Sequence, residues 1–235
     1  LIDLGIGGLF FRPGEAKEVQ QAYEYMQRNS KVPLLTAANL EDGGNGASVE
    51  GTAFGNQMAV AATNRTSDAY TLGKIAATEG KSVGVNFGFS PVVDLDLNFR
   101  NPITNVRTYG SDVERVIKNA KEYIQAFHDN GSMTSIKHFP GDGVDERDQH
   151  LLTSINSLSV NNWRKTFGKV YQELIDFGSK AVMVGHIAFP AYSGDNMPAT
   201  LSPKLINDLL RTELGFNGLT ITDATPMVGF CSAMK

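Results

Sequence analysis

Short apolar runs alternate with longer amphipathic segments along the whole chain, and this alternation narrows the possible folds more than any other feature. Val32-Pro33-Leu34-Leu35-Thr36-Ala37, Val83-Gly84-Val85-Asn86-Phe87, Met133-Thr134-Ser135-Ile136, Ala181-Val182-Met183-Val184 and Leu219-Thr220-Ile221-Thr222 read as strands. Ile6 to Phe11 is a first short run, and Pro91 to Leu95 a further extended stretch. Between them, residues 16–28 carry Val19, Ala22, Tyr23 and Met26 at helical spacing. Residues 53–62 and 69–77 are Ala-rich and helical in character. Ser111, with Glu114 three residues later, reads as the cap of a helix that runs to about Asp129 and stops at Asn130-Gly131. Residues 161–177 form another helix, ended by Gly178; Ser202-Pro203 opens the last one, which ends before Gly215.

Strands separated by helices build parallel βαβ units. No G-x-G-x-x-G follows a strand, so a dinucleotide-binding sheet loses its main support. The 235 residues come close to the length of about 250 typical of an eight-unit barrel. In such barrels the chemistry lies at the C-terminal ends of several strands. Here polar residues follow strand after strand: Asn39 and Glu41, Asp94 and Asp96, Lys137 and His138, His186, and Asp223. The expectation is therefore an α/β chain folded as a (β/α)8 TIM-type barrel, with residues 1–235 in a single domain.

The formal charge of −4 and the absence of any Lys/Arg-rich run argue against nucleic acid as a partner, since a phosphate backbone demands clustered basic surface. No apolar stretch approaches the roughly 20 residues of a membrane span. The lone Cys231 excludes an internal disulfide, which fits a cytoplasmic setting. The chain begins Leu1-Ile2-Asp3, without an initiator Met, so a secreted protein with its leader removed stays open. The four histidines include no i, i+4 helical pair, so no metal site and no cofactor is expected. A G-x-S-x-G nucleophile elbow is absent.

The densest chemistry lies in Lys137-His138-Phe139-Pro140-Gly141-Asp142-Gly143, followed by a charged loop ending Asp148-Gln149-His150. Lys137 and His138 point to opposite sides if the strand continues, but a turn there brings both to the barrel mouth. Asp148 and His150 are two apart, and a carboxylate beside an imidazole fixes its tautomer and stabilises its cation. That makes His150 a competent general acid/base. The competing reading is a solvated polar loop. Asp223, directly after an apolar strand, suits a nucleophile at the mouth or, equally, a cap for the next turn.

These residues carry a resemblance. Lys137 to Gly143 resembles the KHFPGxG signature of glycoside hydrolase family 3. Asp148-Gln149-His150 is similar to the Asp-x-His dyad of that family's β-N-acetylglucosaminidase (β-hexosaminidase) branch, with its His twelve residues after His138. Residues 89–96, Asn101-Pro102, residues 106–110, residues 181–186, Pro198 to Ser202, residues 210–218 and Ile221-Thr222-Asp223 resemble further family segments in order. The resemblance implies a retaining exo-glycosidase, β-N-acetylglucosaminidase-like, acting on O-glycosyl bonds of amino-sugar oligosaccharides such as those of peptidoglycan recycling. It implies Asp223 as nucleophile through a covalent glycosyl intermediate, His150 as acid/base oriented by Asp148, and Lys137, His138, Arg107 and Asn39 as sugar ligands. A β-glucosidase or a phosphorylase of the same family is the alternative, and a catalytically silent sugar-binding barrel a third. Two departures stand out. Asn39 replaces the family's Asp in its Asp-x-Glu-Gly-Gly segment, with an extra residue before the glycines, and Asp142 replaces a common His. The comparison also implies a barrel incomplete at both ends within these residues, with an additional C-terminal segment or domain.

Overall fold

The computed structural model describes residues 2–234. Six strands make one parallel sheet in the order β1 (Gly8–Phe10), β2 (Leu35–Ala38), β3 (Phe87–Gly88), β4 (Met133–Phe139), β6 (Ala181–Val184) and β8 (Leu219–Thr222). A parallel two-stranded ribbon, β5 (Ser154–Ile155) with β7 (Ile187–Ala188), lies beyond the ends of β4 and β6 in the chain. Helices occupy the connections. They are α1 (Ala16–Asn29), α2 (Gln57–Ala62), α3 (Thr66–Ser82), α4 (Val113–Asp129), α5 (Val160–Lys165), α6 (Phe167–Asp176) and a π-type helix, Lys204–Glu213. Two single turns, α7 (Pro190–Ser193) and α8 (Val228–Cys231), and several short 3-10 turns accompany them.

The sheet curls. Leu9 and Phe10 of β1 and Leu219 and Ile221 of β8 line the same apolar cavity of about 440 Å³, although these are the two edge strands. The fold is thus α/β with a half-barrel. Among the described residues no backbone pairing joins β1 to β8, so the closed eight-stranded barrel expected from the sequence is not formed by this span. Closure fixes strand number, tilt and diameter together, and six strands here leave a gap as wide as a cavity.

The main core lies between sheet and helices. On α4, Val116, Ile117, Ala120, Tyr123, Ile124 and Phe127 form one buried face at helical spacing. Its cap is Asp112 rather than Ser111: the Asp112 carboxylate accepts from the Arg115 N–H at 2.8 Å. The Ala-rich pattern of α3 reflects close approach to α4. Gly73 packs against the backbone of Tyr123, where a Cβ would stand 2.7 Å from the Tyr123 carbonyl oxygen. Two buried Tyr hydroxyls are satisfied at β2 and just past it: Tyr23 donates to the Ala37 carbonyl and Tyr123 to that of Leu40, both at 2.7 Å.

Several elements differ from the sequence expectation. The 53–62 helix starts only at Gln57, after Asn56 caps it through the Ala59 N–H. The 161–177 helix breaks at Thr166 into α5 and α6. The expected strand at 83–87 shrinks to Phe87–Gly88 because Gly84, at φ +94°, turns the chain directly out of α3. The Asn86 amide then does the pairing there, accepting from the Thr36 N–H at 2.8 Å and donating to the Leu34 carbonyl at 3.0 Å.

Candidate active site

The sheet gathers its polar residues at one end. β4 runs longer than Met133 to Ile136 and carries Lys137 and His138 within it. Consecutive side chains of a regular strand point to opposite faces, but the β4–β6 register shifts between Ile136 and Phe139. Lys137 and His138 consequently line the same cavity. The turn that follows is fixed from behind. The Trp163 indole donates to the Pro140 carbonyl at 2.7 Å. Gly141 and Gly143 adopt φ of +121° and +103°, where a side chain would collide with the Phe167 ring and the Leu95 carbonyl respectively.

Glu41, just past β2, organises the cations. Its carboxylate takes both the Nε and the NH2 of Arg107 at 2.8 Å, a bidentate pair, and Lys137 Nζ at 2.6 Å. Lys137 also donates to Asn39 Oδ1 at 3.2 Å. Burial works to raise the Glu41 carboxyl, but the charges and hydrogen bonds of Lys137 and Arg107 outweigh it and hold the group well below the usual carboxylate range. Burial likewise opposes the Arg107 charge, and Glu41 more than reverses that.

Asp94 organises the histidine. It is fully buried, and its Oδ2 lies 2.7 Å from His138 Nδ1 while its Oδ1 accepts the backbone N–H groups of His138 and Asp142. The opposite ring nitrogen, Nε2, stands 3.9 Å from Asp223 Oδ2. Asp223 follows β8, its N–H bound to the Val184 carbonyl and its Oδ1 accepting from the Ala224 N–H at 2.7 Å. Burial pushes the Asp223 carboxyl up, yet His138, the Ala224 N–H, Lys137 and His186 together hold it below its ordinary value. It is an ionised carboxylate in a shielded position, which is what a nucleophile for an electrophilic carbon requires.

The second candidate group lies on the loop after β4. Asp148 Oδ1 is 2.6 Å from His150 Nδ1 and also accepts the His150 backbone N–H at 2.8 Å. The His150 side chain is 54% exposed. Its carbonyl accepts from the Val228 N–H at 2.9 Å, which ties the loop to the segment after Asp223.

One cavity of about 480 Å³ is lined by Asn39, Arg107, Lys137, His138, His150 and Asp223, with Asp148 behind His150. That volume falls within the range of about 300–1,000 Å³ usual for small-molecule sites. Every site residue singled out in the sequence is thereby brought together. His186, also at a strand end, is instead buried beneath the floor, where Nε2 donates to the Ala224 carbonyl and Nδ1 faces Thr200 Oγ1, both at 3.0 Å. The sequence reading assigned no role to Glu41 or Asp94 beyond their position after strands, and it missed the apolar wall of Phe10, Phe89, Met183 and Ile221. Phe10 and Phe89 stack at 5.6 Å between ring centroids. Among the described residues no group of three or more His, Cys, Asp or Glu is arranged to hold a metal ion, and no helix is long and apolar enough to cross a membrane.

The half-barrel thus gathers donors, a carboxylate and an Asp-held imidazole around one cavity. The Glycosyl hydrolase family 3 N terminal domain matches residues 1–234, and the chain belongs to that family. It is 45% identical over 240 residues to a β-N-acetylglucosaminidase/β-glucosidase of Cellulomonas fimi, covering 98% of this chain and 43% of the relative. Among solved structures, the β-glucoside phosphorylase BglX superposes with a TM-score of 0.96 at 46% identity, covering 98% of this chain and 44% of that one. A family 3 β-N-acetylglucosaminidase from Paenibacillus sp. str. FPU-7 gives 0.92 at 30% identity, covering 98% and 45%. The chain spans less than half the length of these relatives.

Proposed function

We propose that this chain carries the reaction centre of a retaining β-glycosidase that removes terminal β-N-acetylglucosaminyl groups. The observation that carries the reading is the shared cavity: an ionised Asp223 and an Asp148-held His150 face the same space, beside the Lys137, Arg107 and Asn39 donors. In the first step Asp223 attacks the anomeric carbon while protonated His150 gives its proton to the departing oxygen. In the second, neutral His150 takes a proton from water, and the oxygen displaces Asp223 from the sugar, restoring the starting anomeric configuration. Lys137, Arg107, Asn39 and His138 hold the sugar hydroxyls. We propose further that in the whole protein additional strands fill the gap between β8 and β1 and complete an eight-stranded barrel; the curl of the sheet and the greater length of the relatives support this.

Phosphorolysis is the second reading. The relative superposing at 0.96 is named a β-glucoside phosphorylase. An imidazole acid/base also repels an incoming phosphate less than a carboxylate would. The test uses the full-length protein with β-N-acetylglucosaminide and β-glucoside substrates sharing one chromogenic leaving group, with and without inorganic phosphate. Faster release from the acetylated sugar, with free sugar as product, supports the glycosidase reading. Sugar 1-phosphate formed in proportion to phosphate supports the second. Folded protein that binds sugars and turns over neither substrate overturns both and leaves a silent binding barrel.

A further inference from the structure

Asp142 and Gln149 form a buried pair that the mechanism above does not use. Both are about 1% exposed. Asp142 Oδ1 accepts from Asn101 Nδ2 at 2.9 Å and from the Gly143 N–H at 2.7 Å; its Oδ2 accepts from Gln149 Nε2 at 3.2 Å. The other end of the Gln149 amide, Oε1, accepts the His186 N–H at 3.0 Å. His186 in turn donates to the carbonyl of Ala224, the residue next to Asp223. Gln149 itself sits between Asp148 and His150. A continuous hydrogen-bonded line therefore runs from the β4 turn, through the loop of the acid/base, to the segment of the nucleophile.

The polarity of this line is fixed. An amide has one accepting end and one donating end. The backbone N–H of His186 takes the accepting end, so the NH2 must face position 142. Only an acceptor fits there, and Asp142 meets three donors and no acceptor from Asn101, Gly143 and Gln149. We propose that Asp142 and Gln149 are positioning residues: the His186 N–H and the Asp142 carboxylate together hold the Gln149 amide in one orientation, and that amide seats the Asp148–His150 loop against the strand end that carries Asp223.

The proposal rests on the glycosidase reading for its kinetic consequence but not for its geometry. The ionisable groups facing Asp142 are Asp94, whose Oδ1 takes the Asp142 N–H at 2.8 Å, with His138 on β4 and Tyr171 on α6. Burial first, and then the Asp94 charge, raise the Asp142 carboxyl to about 6, against the opposing effects of His138, Gly143 and Asn101. Seating is complete above that pH and weakens as the carboxylate takes up its proton below it.

The experiment compares hydrogen exchange of the His150, Leu151 and Leu152 amides in the full-length protein at pH 7.5 across four forms. These are wild type, Asp142→Asn, Gln149→Met, and the double variant Asp142→Asn with Gln149→Glu. The double variant restores the pair with the direction of its bond reversed, since the new amide at 142 donates to the new carboxylate at 149, whose second oxygen still accepts from the His186 N–H. Each single variant should speed exchange on the order of tenfold, the loss of one buried hydrogen bond, and the double variant should return it towards wild type. In turnover, the singles should lower kcat on substrates with poor leaving groups with KM little changed, and remove the acid limb near pH 6. Wild-type-like exchange in Gln149→Met, or a double variant no better protected than the singles, overturns the proposal. Should Asp142→Asn not fold, Gln149→Met and the double variant decide alone. Absence of turnover in wild type with the exchange pattern intact would count against the glycosidase reading instead.

Discussion

The Asp148 carboxylate holds His150 at two points, the imidazole Nδ1 at 2.6 Å and the backbone N–H at 2.8 Å, through the same oxygen. With Nδ1 engaged, Nε2 is the nitrogen through which a proton can be exchanged with substrate. A side chain as exposed as that of His150 would otherwise sample several rotamers, and the double hold restricts it.

Replacing His150 by Ala should therefore separate substrates by leaving group. General-acid assistance is worth about 10²–10⁴-fold, and that loss should appear for alkyl glycosides and free oligosaccharides. Activated aryl glycosides, whose leaving groups depart as stable anions, should lose only a small factor in glycosylation. Steady-state kcat/KM on both substrate types measures the difference, and equal losses would remove His150 from the acid role.

Asp223→Asn removes the charge and keeps the shape. Turnover should fall on the order of a thousandfold or more, as for nucleophile removal in other covalent mechanisms. Sugar binding, measured by titration calorimetry, should stay within a few-fold of wild type, because Lys137, Arg107 and Asn39 remain. Surviving turnover would show that another group makes the glycosyl bond.

Glu41→Gln tests the charge hub. Removing one partner of a buried ion pair costs about 3–5 kcal/mol because the remaining charges lose their counterion. Here Arg107 and Lys137 would be left to each other. The folded Glu41 carboxyl is depressed relative to its ordinary 4.5, so its contribution is fully present above that pH and fades as pH falls towards the folded value. The stability gap between wild type and variant, measured by denaturant unfolding, should thus be constant from pH 6 to 8 and narrow below about pH 4. A gap independent of pH would mean that the ionisation of Glu41 is not what separates the two proteins.

Gly143→Ala should be disproportionately costly for one methyl group. The φ of +103° disfavours any side chain, and the added carbon meets the Leu95 carbonyl. A loss of about 1–3 kcal/mol is expected from overpacking. It should be accompanied by weaker sugar binding, since the same turn fixes Lys137 and His138. Thermal melting and binding titration read the two effects separately.

Much of this was legible in the residues. β8 lies at Leu219–Thr222 as the apolar run indicates, and α4 ends at Asp129, one residue before Asn130-Gly131. The Asp148–His150 pair was legible because its two members are close in sequence, so local geometry suffices to join them. The Glu41 hub was not, because its partners lie 66 and 96 residues further along the chain and only the curl of the sheet brings them together. The short β3 escaped for another reason. Val83 and Val85 look like strand residues, but both are buried beside the turn at Gly84, and apolar burial in a turn has the same sequence signature as burial in a strand. The break falls at Thr166, two residues before Gly168, both weak helix formers, and Gly168 is set against the Trp163 ring.

Trp163 is the only tryptophan among these 235 residues, and its indole is fully buried with its N–H bound to the Pro140 carbonyl. Indole fluorescence depends on solvent contact and on the N–H partner. This span therefore carries a built-in optical reporter at the back of the turn that bears Asp142, on the far side from the substrate. Its emission would shift when that turn opens and stay constant when only the front of the cavity is rearranged, with no label attached.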